Sequence, residues 1–199
     1  MFWNKSVVNA LLILAAGQSR RFGADKRFVT MPKGGPLLPA LIRRGGKAGL
    51  PVTVVLAESD PLTEIHGAHI LRSTRAAGGM GYSLADAIAQ LDSALSSVLI
   101  LPADLPLLRI SSLRQVAEQA AEDRIIIPHF QGQRGHPVAI GRAFWPELLN
   151  LEGDQGAKAV LAKYADACVR LDLDDPGICA DGDTPAAMQS LFDEMTLPE

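Results

Sequence analysis

The chain has 199 residues, of which 48% are hydrophobic, with a net charge of −3 and a mean hydropathy of +0.15. A chain of that size buries about 70% of its unfolded surface, which predicts one globular domain over residues 1–199 and excludes a disordered or staple-dependent one. The small net charge argues against nucleic acid as a partner, and no segment reaches the roughly 18 apolar residues of a membrane span. Cys168 and Cys179 lack metal-type spacing and read as reduced thiols of a cytoplasmic protein. Lys5 followed by residues 7–16 imitates a secretory signal, but Asn9 interrupts the apolar stretch, and cleavage would delete the first predicted strand.

In chain order, the pattern predicts strands at 6–14, 52–56, 69–71, 98–101, 125–128, 138–140 and 168–173. Helices are expected at 37–44, 82–91, 110–121, 144–150, 157–164 and 185–194. This alternation implies an α/β fold, a single-domain three-layer sandwich around a mostly parallel, doubly wound sheet. Residues 31–49 are rich in Gly, Pro and Lys, so the first crossover is expected to be poorly ordered. Ligands of such sheets bind beyond the carboxyl ends of the strands, where the loop of residues 15–26 and Asp104 would both lie.

Residues 11–26 read LLILAAGQSRRFGADK, an apolar strand that breaks at Ala15, Ala16 and Gly17 into a basic, glycine-punctuated loop. Gly17 and Gly23 let backbone amides approach an anion, and Ser19, Arg20, Arg21 and Lys26 add donors, a combination suited to a triphosphate. No Gly-Lys-Ser/Thr follows Gly17, and Ser19 stands where Gly-x-Gly-x-x-Gly needs its second glycine, so neither a P-loop NTPase nor a dinucleotide fold is indicated. Residues 1–50 hold nine Lys/Arg against Asp25 alone, whereas the remainder holds ten against twenty-one acids. The basic end suits an anionic ligand and the acidic end a divalent cation. Lys33, Arg43, Arg44 and Lys47 read as a solvated face, whereas Lys26 closes the glycine loop.

Asp104 follows the apolar run VLIL and is held between Pro102 and Pro106, which presents its carboxylate on a stiffened turn at a strand end. Mg2+ takes one or two such carboxylates together with waters and substrate phosphates, so a second acid is expected elsewhere; a turn or cap aspartate is the alternative for Asp104. The stretch GGMGYSLADAI (78–88) places Gly79 and Ser83 at a helix start, where free N–H groups favour negative or polar ligand atoms. A flexible loop with an N-terminal helix serine is the alternative there. Met80, Trp145 and Met188 read as core or lining residues.

Five blocks in order resemble the molybdopterin nucleotidyltransferase-like family: residues 14–26 with their LAAGQS opening, GGMGYSLADAI, LPADLPLL (101–108), RGHPV (134–138) and GDQGAKAVL (153–161). DGDTPAAM, from Asp181, resembles the family's Asp-x-Asp-Thr-Pro ending. The likeness covers essentially the whole chain and is closest to the molybdenum cofactor cytidylyltransferase branch. It implies transfer of CMP from CTP to the phosphate of molybdopterin with release of pyrophosphate, dependent on Mg2+, with a molybdoenzyme as the eventual recipient. Guanylyl transfer from GTP to the same pterin, cytidylyl transfer to another phosphorylated metabolite, and a non-catalytic nucleotide-binding regulator or delivery chaperone stay open.

By the same resemblance, Leu14, Ala15, Ala16, Gly17, Ser19, Arg20, Gly23, Lys26, Gly79 and Ser83 bind the nucleotide, and Arg20, Lys26 and Asp104 carry the transfer. Asp104 and Asp181 hold the metal, Asp183 being as well suited to cap the helix that Pro185 begins. Arg134, His136, Asp154 and Lys158 meet the acceptor. Three departures stand out: Phe22 replaces Met before Gly23, Ala103 replaces Gly or Cys before Asp104, and Ala186-Ala187 replaces an acidic pair. The last thins the acidic end and is expected to reduce metal affinity.

Overall fold

A computed structural model describes residues 8–17, 22, 23 and 25–196. Ser19, Arg20 and Arg21 of the glycine loop, and residues 6 and 7 of the predicted first strand, lie outside the described residues.

The first half of the chain forms β1 (Asn9–Leu14), β2 (Thr30–Met31), β3 (Gly35–Pro36), α1 (Leu37–Lys47), β4 (Val52–Ala57), β5 (His69–Ser73), α2 (Met80–Ile88) and β6 (Ser97–Pro102). The second half forms α3 (Ile110–Gln119), β7 (Ile125–Phe130), β8 (Gln133–Arg134), β9 (Val138–Gly141), α4 (Trp145–Leu148), α5 (Lys158–Lys163), β10 (Cys168–Asp172) and α6 (Pro185–Thr196). The main sheet runs β10-β7-β9-β6-β1-β4-β5, with β8 paired to β7, and β2-β3 is a separate hairpin. Along that path only β9 opposes its neighbours. Residues 131–137 alone connect β7 to β9, and a parallel crossover needs about a dozen residues, so the chain turns back on itself.

Strand periodicity divides the core in two. Leu11 and Ile13 of β1 face Leu38 and Leu41 of α1, Leu113 and Val116 of α3, and Met188 and Phe192 of α6. Ala10 and Leu12 face Leu84 and Ile88 of α2, Leu148 of α4 and Val160 of α5. Helices therefore cover both faces of a mostly parallel sheet, as the alternation predicts.

The expectation of disorder over residues 31–49 is overturned. Leu37, Leu38, Leu41 and Ile42 recur at helical spacing and are buried, a stripe that outweighs Gly45, Gly46 and the basic residues around it. Pro39 is tolerated because it falls in the first turn, where its missing N–H costs no helical bond. A Cβ on Gly45 would come within 2.7 Å of both Leu11 and Val52, so glycine there lets α1 lie close on the sheet. Arg44 is also corrected: it is half-buried, donates to the Pro106 carbonyl at 2.7 Å, and burial lowers its pKa.

The chain leaves β1 for one side of the sheet, through β4 and β5, and returns on the other side at β6, so strand order reverses between β1 and β6. Parallel pairing sets Leu14 opposite Pro102, which brings the loops after both strands side by side at that reversal. A crevice is expected there.

Candidate active site

A cavity of about 510 Å3 opens at that point, within the size range of small-molecule sites. Its wall is built from the two adjacent strand ends (14–17 and 102–104), the turn bearing Lys26 and Arg27, residues 76–80 with Ser83, and Asp154 and Asp183. Most of the predicted nucleotide-side residues therefore converge. Gly23 is not in the wall; its φ of +72° is the reason for glycine at that position. A Cβ on Gly17 would meet open space, so packing does not explain the lack of a side chain at that position.

Lys26 is the centre of the polar wall. Its Nζ donates to Asp104 Oδ2 at 2.7 Å and lies 3.6 Å from Asp183 Oδ1. The loop before α6 is tied to the strand end by the Gly182 amide, which donates to the Asp104 carbonyl at 2.9 Å. Asp183, not Asp181, therefore stands on the cavity as the second acid. Asp181 is instead near enough to His136 to influence its charge. Nor does Asp183 cap α6: the Thr184 hydroxyl accepts from the Ala187 amide at 3.1 Å, in the cap position just ahead of Pro185. Asp104 and Asp183 are the donors that can hold a divalent cation, and two carboxylates match what an Mg2+-type ion takes from a protein when water and phosphates complete its shell. Among the described residues, no group of three or more His, Cys, Asp or Glu is placed to hold a metal.

Sequence reasoning missed Arg27, which lines the same cavity. Its Nε and Nη2 donate to the two Asp25 oxygens at 2.7 and 2.6 Å, and Nη1 donates to Asp60 and, at 3.4 Å, to the Ala15 carbonyl. Hydrogen bonding from Arg27 draws the Asp25 carboxyl below its usual range. Arg27 thus joins the turn bearing Lys26 to the ends of β1 and β4. Only the adjacency of Arg27 to Lys26 hinted at this, because Asp60 is far away in sequence.

The opposite wall depends on close backbone approach. Gly79 has φ +126°, and a Cβ there would fall 2.5 Å from Asp154 Oδ1 and from Gly153. Two residues on, the Gly81 amide donates to the Gly153 carbonyl at 2.7 Å. Ser83 is buried, with its hydroxyl donating to the Gly79 carbonyl at 3.4 Å. Arg75 steadies the turn from outside by pairing with Asp86 at 2.6 Å and stacking over Tyr82. Gly79→Ala is expected to cost about 2 to 4 kcal/mol through positive-φ strain and the backbone collision, and to weaken nucleotide binding. Thermal denaturation and a binding titration check both effects.

The predicted acceptor residues divide. Asp154 lines the cavity, whereas Arg134 on β8 and Lys158 at the start of α5 are exposed and outside its wall. His136 is half-buried beside Asp104; its amide donates to the Ile178 carbonyl at 2.8 Å and its buried Nδ1 has no partner among the described residues. Burial lowers its pKa below the ordinary 6.5, against the attraction of Asp104 and Asp181. A histidine with a depressed folded pKa stabilises fully above pH 6.5, and that contribution is lost as pH falls below 6.5 toward the folded value. His136→Gln is therefore expected to shrink the drop in melting temperature between pH 7.5 and about 5.5. An unchanged drop would show that the imidazole is not held neutral.

Residues 11–168 match the MobA-like NTP transferase domain, and the chain belongs to that family. The family makes it a nucleotidyltransferase. Among curated proteins, it is 26% identical to the purine catabolism protein PucB of Bacillus subtilis, over 87% of this chain and 91% of that one. Among solved structures, it superposes with TM-score 0.80 on the homologue of the Mycobacterium tuberculosis protein rv0371c from Mycobacterium sp. strain JC1, at 21% identity, covering 94% and 96% of the two chains. The M. tuberculosis protein Rv0371c, solved as a complex with manganese, superposes with TM-score 0.74 at 19% identity, covering 94% and 98%. At such identities these two structures establish the nucleotide-diphospho-sugar transferase-like fold alone.

Proposed function

We propose that this chain acts as one cytoplasmic domain that transfers CMP from CTP to the phosphate of a molybdopterin-type acceptor and releases pyrophosphate. The observation that carries the reading is the convergence of the glycine-loop start, Lys26, Gly79, Ser83 and Asp104 on one cavity at the sheet's reversal point. In this account, Lys26 and Arg20 neutralise the triphosphate. The amides at Gly17 and at the start of α2 meet further oxygens of the nucleotide. Asp104 with Asp183 would hold a divalent cation, which would supply charge neutralisation to the nucleotide phosphates; manganese in the Rv0371c complex supports a metal in this fold. Asp154, with Arg134, His136 and Lys158 as the resemblance implies, orients the acceptor, whose ionised phosphate needs no base. The main task of the protein is positioning. The molybdoenzyme that receives the product is the partner this reading implies.

The LAAG spelling supports CTP. Ala15 and Ala16 are buried at the cavity wall; if the base packs against this backbone, the methyl group of residue 16 takes room that the second ring or exocyclic amine of a purine would need. A filled pocket discriminates by about 1 to 3 kcal/mol, so CTP is expected to be preferred over GTP by roughly 10- to 200-fold. Ala16→Gly is expected to narrow that ratio, checked by kcat/KM for both nucleotides in both forms. The function itself is tested by pyrophosphate release from each NTP with Mg2+ and purified molybdopterin. Release dependent on CTP and acceptor supports it, dependence on GTP moves the chain to guanylyl transfer, and nucleotide binding without release identifies a regulator or chaperone.

A further inference from the structure

The Lys26 ammonium contacts the two acids that would hold a metal ion. It lies 2.7 Å from Asp104 and 3.6 Å from Asp183, and the side chains of Lys26 and Asp104 are only 18% and 14% exposed. A carboxylate oxygen so closely bound to an ammonium has less charge to offer a second cation. A divalent ion at the same acids would also face a like charge across a few ångströms of poorly solvated space. Lysine differs from the neighbouring arginine in one decisive respect. Arg27 is fixed by Asp25, Asp60 and the Ala15 carbonyl, so the turn is anchored, whereas the lysine is a point charge on a flexible four-carbon stem.

We propose that Lys26 is the resident counter-ion of Asp104 and exchanges partners on loading: the triphosphate draws the ammonium away and frees the carboxylate for the metal ion that accompanies the nucleotide. The inference rests on the nucleotidyl-transfer reading, in which the same lysine serves the phosphates and the same acid the metal. Metal and nucleotide are then coupled through one side chain, and the coupling is reciprocal. Metal alone binds weakly because it must displace an internal cation, and nucleotide alone meets a lysine already engaged.

The test is a Mn2+ titration of the full chain without nucleotide, following free Mn2+ by electron paramagnetic resonance, in wild type, Lys26→Gln, Lys26→Ala and Lys26→Arg. Loss of a charge-assisted bond and of a like charge predicts that both neutral variants bind Mn2+ at least about 10-fold tighter than wild type. Lys26→Arg, which retains the charge, is expected to stay near wild type. The same neutral variants are expected to bind CTP in EDTA about 10-fold more weakly, and that opposite movement of two affinities is one that a merely structural role does not produce. Mn2+ binding by the neutral variants that equals or falls below wild type, undetectable binding in all forms included, overturns the exchange. Pyrophosphate release is measured alongside: its absence with every NTP, while the Mn2+ response holds, defeats the transfer reading and leaves the ion exchange standing.

Discussion

Asp104→Asn is expected to lower divalent-metal-dependent turnover by at least about 1,000-fold while shifting the melting temperature by only a few degrees. The substitution keeps the side-chain volume but removes the charge that a hard cation requires. In the proposed mechanism several kcal/mol of transition-state charge stabilisation would depend on that cation, which sets the size of the expected loss. Stability is spared because the structural work of this position is done by its backbone, whose carbonyl accepts the Gly182 amide, and because Asp183 stays within 3.6 Å of the orphaned lysine. Initial rates over a range of Mg2+, with a thermal melt, check both halves. Full metal-dependent activity in the variant would remove Asp104 from the site.

Lys26→Ala is expected to reduce kcat/KM for CTP by about 10- to 100-fold, since a charge-assisted hydrogen bond to a phosphate contributes about 1.5 to 3 kcal/mol. The substitution breaks the part-buried Lys26–Asp104 pair and leaves Asp104 beside the half-exposed Asp183, so the folding penalty is expected to be about 1 to 3 kcal/mol. If the lysine meets the β- and γ-phosphates mainly in the ground state, KM rises and kcat holds. If it follows charge onto departing pyrophosphate, kcat falls. Unchanged steady-state kinetics would leave Lys26 as a structural partner of Asp104 only.

Much of this architecture is legible in the sequence because its strands are apolar runs and its helices have periodic stripes. β1, β4, β6 and β7 are buried almost throughout, and their β-branched and aliphatic residues announce it. The hairpin of β2 and β3 is not legible, since two-residue strands carry no period. The reversed direction of β9 does not show in the alternation of elements, although the link between the predicted strands at 125–128 and 138–140 is too short for a parallel crossover. At the site, the local sequence together with the family resemblance singles out Asp104 and Lys26 as candidates but not their 2.7 Å contact, which joins positions far apart in the chain. Choosing between Asp181 and Asp183 needed the path of the backbone as well: Gly182 is anchored to Asp104, and the aspartates on either side of it come to different places. Arg27 read as one more basic residue because Asp60, its second carboxylate, is supplied by the loop after β4.

The most direct test of nucleotidyl transfer is the fate of the α-phosphate. CTP labelled at the α-phosphorus is incubated with the full chain, Mg2+ and purified molybdopterin, and the products are separated by chromatography. The account predicts label joined to the pterin in a phosphoanhydride and unlabelled pyrophosphate in equal amount. Label that stays in CTP, or appears only as free CMP while the pterin remains unmodified, would contradict it.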